Sequence, residues 1–228
     1  MGTAWAYVDW QDRVEVDAGS VTDPAAARST APSASASPSS SSEPAEEPVS
    51  LWLGDGYTTG YACPTADRLG WECVVEAAEG VGFVAGDPGE RLADRLAAIA
   101  DSGVEPDVVV VDAGRNDVRL VDGPNLRAAM DTYLDALRET FPDAGLVQVV
   151  PWTLAQEGPL TGDLAGIVTE VVEDHDGYAV DPVAAGWAGT GRTDQPDLRS
   201  EEGGASPAGN DYVARRLADT LRRLDLTA

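Results

Sequence analysis

From Val49 onward, short apolar runs alternate with stretches in which leucine, alanine or valine recur every three to four positions. The first pattern is that of strands and the second that of amphipathic helices. Their alternation marks β-α units around a mostly parallel sheet. Strands are predicted at 49–53 (VSLWL), 73–77 (CVVEA), 108–112 (VVVVD) and 146–150 (LVQVV), with a short fifth at 178–180. The third is the plainest, since four consecutive valines suit a strand covered on both faces. Helices are predicted over 90–100, 125–140, 162–175 and 207–224; Gly103 and Pro106 stop the first, Pro142 and Gly145 the second. Right-handed crossovers leave few ways to assemble these pieces. The natural one is a three-layer α/β/α sandwich around a flavodoxin-like five-stranded parallel sheet. In such sheets ligands sit at the carboxyl ends of the strands, near the switch in strand order, so the loops after the first three strands are the place to look for chemistry.

Ahead of this pattern the chain changes character. Residues 29–48 read STAPSASASPSSSSEPAEEP and carry no large apolar side chain, so burial cannot offset the entropy of ordering them. Residues 11–28 hold only scattered valines. The expected division is a disordered tail and linker over 1–48 and one domain over 49–228. Residues 4–10 (AWAYVDW) have the aromatic, half-polar character of a membrane interface. They suggest that an anchor helix once preceded Met1-Gly2 and that the domain is extracytoplasmic, secreted or tethered. The sequence as given holds no apolar run long enough to span a bilayer.

Acidic residues outnumber basic ones by 40 to 15, for a formal charge of -25. Such a field repels phosphate backbones and anionic lipid heads, which argues against nucleic acid and membrane surfaces as partners. A monomer with a small-molecule partner is the expectation. Cys63 and Cys73 with the single histidine, His175, do not make a closed zinc shell, so no metal or cofactor is expected. An exported domain leaves both a small local disulfide and free thiols open to the two cysteines, a cytosolic one points to buried thiols, and only geometry decides the pairing.

The loops carry a more specific signal. After the first strand comes Gly54-Asp55-Gly56-Tyr57-Thr58-Thr59-Gly60, after the second Glu79-Gly80-Val81-Gly82-Phe83, and after the third Asp112-Ala113-Gly114-Arg115-Asn116-Asp117. These resemble the first three blocks of SGNH/GDSL-type hydrolases: Gly-Asp-Ser, a loop glycine, and Gly-x-Asn-Asp. The last block of that family, Asp-x-x-His-Pro with a glycine shortly before a closing helix, corresponds to the stretch from Glu201 to Gly209. Aligned on Gly209, the acid position holds Glu201 and the base position Gly204. Asp181-Pro182 and Gly186-Trp187 are similar to the approach to that block.

The resemblance implies an esterase fold in which Gly56 stands where the nucleophilic serine belongs and Gly204 where the histidine belongs. It also implies an oxyanion hole built from the N–H groups of Gly56 and Gly80 and the amide of Asn116, with Asp55, Gly114 and Asp117 beside the ligand. Glycine can neither attack a carbonyl nor carry a proton. Loss of one such group in a serine hydrolase costs roughly a million-fold in turnover. His175, near the end of a predicted helix and far in sequence from every motif loop, reads as a helix-end histidine. The expected function is a catalytically degenerate hydrolase-like domain whose pocket holds an acyl or acetylated glycan ligand. The alternative is an active ester hydrolase or deacetylase that uses other side chains. A nucleotide-binding domain fits poorly, because the first loop carries no lysine to meet a phosphate.

Overall fold

The computed structural model describes residues 46–152, 164–187, 205–224 and 226. Residues 1–45 of the predicted tail lie outside them. Five strands, β1 (Val49–Asp55), β2 (Glu72–Ala78), β3 (Val108–Asp112), β4 (Gly145–Val149) and β5 (Tyr178–Val180), form one sheet in the order β2-β1-β3-β4-β5. Every pairing is parallel, with Trp52 beside Val75 on one side and Val110 on the other. This is the flavodoxin-like order, and its switch point falls between β1 and β3.

Alternation along the strands sorts the core into two layers. Leu51, Leu53, Val109, Val111 and Leu146 face α2 (Leu92–Asp101), α3 (Gly123–Thr140) and α4 (Leu164–Asp174). Trp52, Val108, Val110, Val147 and Val149 face α1 (Thr58–Leu69) and α5 (Pro207–Leu221). Two helix starts follow from local chemistry. Asp122 accepts from the Asn125 N–H at 3.0 Å and Ser206 from the Gly209 N–H at 2.9 Å, each with a proline in the first helical positions behind it.

Helix α1 is a correction to the sequence reading, which placed no helix between β1 and β2. Pro64 inside it removes a backbone donor, at a cost of about 3 kcal/mol. The helix persists because Thr58, Tyr61, Ala62, Thr65 and Ala66 recur at helical spacing and bury a stripe of small side chains and one aromatic. That stripe is built from threonine and alanine more than from large apolar residues, so the periodicity is quiet in the sequence. At Gly60 the docking onto α5 is so close that a β-carbon would lie 2.4 Å from the Asn210 amide nitrogen.

Cys63 and Cys73 are joined in a disulfide, with Cα atoms 5.4 Å apart, that ties α1 to β2. It decides between the two cysteine states left open above. The bridge closes a loop of 10 residues, so by chain entropy the Cys63→Ala/Cys73→Ala variant should lose about 2–3 kcal/mol in urea unfolding. A variant with an unchanged midpoint would show that the bridge adds nothing to the fold.

Candidate functional site

The site is built where β1, β2 and β3 end. Gly56 leads out of β1, and a β-carbon built on it would stand 3.4 Å from the Cα of Glu79, the residue after β2. The first and second loops therefore touch at Gly56. Gly56 has no left-handed backbone angle, whereas Gly80 does, with φ of 77°, a region that L side chains rarely adopt. Among the described residues, the N–H groups of Gly56 and Gly80 have no hydrogen-bond partner. They are free donors at this corner.

The third loop reaches both of the others. Asn116 donates to the Val81 carbonyl at 2.8 Å and, more weakly, to Asp55 Oδ2 at 3.3 Å. Its amide is thus held between the first loop and the second. Asp117 is fully buried and accepts from the N–H groups of Phe83, Val84 and Ala85 at 2.9, 2.8 and 2.7 Å. Its carboxylate braces the second loop from within. Gly114 is needed for a different reason: φ is 112°, and a β-carbon there would come within 2.7 Å of the Pro151 ring.

One residue that the sequence reading passed over sits at the centre. Arg115, the variable position of Gly-x-Asn-Asp, has a side chain only 8% exposed. Its Nε donates to Asp55 Oδ2 at 2.5 Å, one terminal nitrogen to Asp112 Oδ1 at 2.6 Å, and the other to the Trp152 carbonyl at 2.6 Å. The guanidinium also lies over the Tyr57 ring, 4.5 Å from its centroid. Asp112 further accepts from the Tyr61 hydroxyl. Burial, together with the Asp112 charge, pushes the Tyr61 hydroxyl well above the ordinary tyrosine range. Asp55 is raised to about 6, chiefly by burial, although the Arg115 charge pulls it down and the Asp112 charge pushes it up. The sequence carries no plain signal for Arg115, which stands three residues past the end of β3 at a position that the motif leaves variable.

Glu201 and Gly204, the predicted acid and base positions, lie outside the described residues. His175 is remote from these loops. It follows α4, its Nδ1 is 2.7 Å from the Val171 carbonyl, and its Nε2 is 3.1 Å from Asp135. It lines a broad acidic groove at the other edge of the sheet, where Val49, Asp107 and Gly145 open their strands. That groove carries none of the motif residues. Among the described residues no group of histidine, cysteine or carboxylate side chains is arranged to hold a metal ion, and no helix is long and apolar enough to cross a membrane.

No protein-family model matches the sequence, and no curated protein matches it either. Solved structures do. A family two carbohydrate esterase from Clostridium thermocellum, in complex with cellohexaose, superposes with a TM-score of 0.62 at 21% identity over 80% of this chain. The chain spans 65% of that protein's length. A carbohydrate acetylesterase from Sinorhizobium meliloti gives 0.59 at 16% identity over 78% of this chain and 99% of its own. The inhibitor-bound aryl esterase of M. smegmatis gives 0.56 at 17% identity, again over 78% of this chain and 99% of its own. The fold is that of the SGNH/GDSL-type hydrolases, a five-stranded parallel sheet between helices.

The Asp117 brace has a measurable weight. Asp117→Ala strips an acceptor from three backbone N–H groups in a buried site, so stability should fall by about 3–5 kcal/mol in denaturant unfolding. A loss below about 1 kcal/mol would mean that water satisfies those groups and that the second loop is not held by this carboxylate.

Proposed function

We propose that this domain is a catalytically degenerate SGNH-type hydrolase that binds an acyl or acetylated glycan ligand at its strand-end pocket and forms no acyl-enzyme. The observation that carries the reading is Gly56. It occupies the nucleophile position at the end of β1, beside the second loop, with no side-chain atom to attack a carbonyl. The alignment of the last block, with Gly204 at the base position and Glu201 at the acid position, adds the loss of the proton carrier. What remains is a corner of donors that does not depend on serine. Free N–H groups on Gly56 and Gly80 beside the Asn116 amide suit a carbonyl oxygen.

The ligand class follows from two supports. Two of the similar structures are carbohydrate esterases, one of them in complex with cellohexaose. The corner also holds the carboxylates of Asp55, Asp112 and Glu79, with Arg115 as the buried cation, which favours a neutral ester over an anion. The Cys63–Cys73 bridge supports an oxidising, extracytoplasmic compartment for the domain after a tail over 1–48.

A second reading, ester hydrolysis by other side chains, has one observation in its favour. Glu79 lines the emptied slot, with its Cα, Cβ and Cγ 3.4, 3.5 and 3.7 Å from the place of a β-carbon at Gly56. Among the described residues it has no hydrogen-bond or ion-pair partner. A carboxylate there is placed to draw a proton from attacking water.

The same distances predict that a serine fits at position 56, since they are near ordinary van der Waals contact. The natural chain should take no label from a serine-reactive fluorophosphonate and should bind acetylated xylobiose in calorimetry. Gly56→Ser with Gly204→His should gain both labelling and hydrolysis of an activated acetate. If the natural chain already hydrolyses that ester and Glu79→Gln abolishes the rate, the second reading replaces the first. Absence of binding in the natural chain would remove the ligand-holding role.

A further inference from the structure

We propose that Arg115 is a positioning residue of the pocket, acting through Asp55 on the side-chain amide of Asn116. The inference rests on the ligand-holding reading above for its consequence, but its geometry stands separately. Asn116 has two amide hydrogens. The bond to the Val81 carbonyl, at 2.8 Å, fixes the orientation of the side chain. The bond to Asp55 Oδ2 is long, at 3.3 Å, because that oxygen already accepts from Arg115 Nε at 2.5 Å. A carboxylate oxygen in a short charge-assisted bond gives most of its acceptor strength to the guanidinium. The second amide hydrogen is therefore held loosely, and it is the one that a ligand carbonyl can capture.

Without the guanidinium the balance reverses. Asp55 is 3% exposed, and its neighbours among the described residues are Arg115, Asp112, Tyr61, Asn116 and the Tyr57 N–H. Arg115 is the only cation among them. Once it is gone, an ionised Asp55 takes the Asn116 amide for itself and sets an uncompensated charge beside a pocket that receives partial negative charge. A lysine does not replace it. The fork reaches Asp55, Asp112 and the Trp152 carbonyl together, and an ammonium group on a flexible stem reaches one or two of them.

The test follows the Asn116 side-chain amide of the full chain by 1H–15N NMR from pH 4 to pH 8, in the natural protein and in Arg115→Lys, Arg115→Met and Asp55→Asn. In the natural protein the Asn116 signals should titrate with a midpoint near 6, where Asp55 changes charge. Loss of the Arg115 charge removes an influence that lowers Asp55, so the midpoint should move upward in Arg115→Met and by less in Arg115→Lys. It should vanish in Asp55→Asn. A purely structural arginine would change the melting temperature and leave this midpoint where it was.

Calorimetry with acetylated xylobiose is the second arm, run at a pH above the midpoint found for Arg115→Met, so that Asp55 is ionised in every variant that keeps it. Arg115→Met should bind about tenfold more weakly, and adding Asp55→Asn should return affinity to within about threefold of the natural protein. If Arg115→Met does not fold, Arg115→Lys decides the matter. Asn116 signals that ignore pH in the natural protein, or a midpoint that neither arginine variant moves, would overturn the proposal. A natural protein that titrates as described but never binds the sugar ester would overturn the ligand-holding reading and leave the positioning role in place.

Discussion

A single guanidinium, that of Arg115, ties together the carboxyl ends of β1, β3 and β4. Two carboxylates, Asp55 from the end of β1 and Asp112 from the end of β3, are buried side by side, and either alone would be costly to take out of water. Arg115 answers both and uses its remaining contact on the Trp152 carbonyl after β4. Three adjacent strands are thereby joined at their carboxyl ends by charge-assisted bonds, in the place where a doubly wound sheet positions a ligand. A buried ion network of this kind contributes less to net stability than its bond count suggests. Its contribution is to one arrangement of the loops over others.

From that arrangement the rest of the corner follows. Asp55 is fixed by Arg115 and by the Tyr57 N–H, so the turn through Gly56 is fixed as well. Asn116, next in sequence to the arginine, is carried to Val81, and Asp117 to the three N–H groups beyond it. Four consecutive residues, Gly114 to Asp117, thus serve four different needs: a backbone angle open to glycine, a buried cation, a polar amide at the pocket, and a brace for the neighbouring loop. None of the bonds of this framework runs through position 56, where glycine has no side chain, so the framework does not depend on which residue stands there.

Much of the fold was legible because its strands announce themselves. The four valines of β3, buried without exception, read as a two-sided strand, and four of the helices carry large apolar residues at helical spacing. Helix α1 was not legible, since its buried stripe is threonine and alanine and a proline interrupts it. The meeting of Asp55, Gly56, Asn116 and the second loop was legible from motif order at strand ends. Arg115 was not, because a motif leaves its position variable and only tertiary structure shows two carboxylates converging on it. The partner of Cys63 was likewise a matter of geometry, settled when α1 lay against β2.

The most direct measurement is the equilibrium unfolding free energy of Arg115→Met in urea at pH 7, where removal of the cation leaves Asp55 and Asp112 buried without it. The account predicts a loss of about 3–5 kcal/mol, the cost of stranding buried charge. A loss within about 0.5 kcal/mol, as for an ordinary surface substitution, would contradict the claim that this arginine holds the site together.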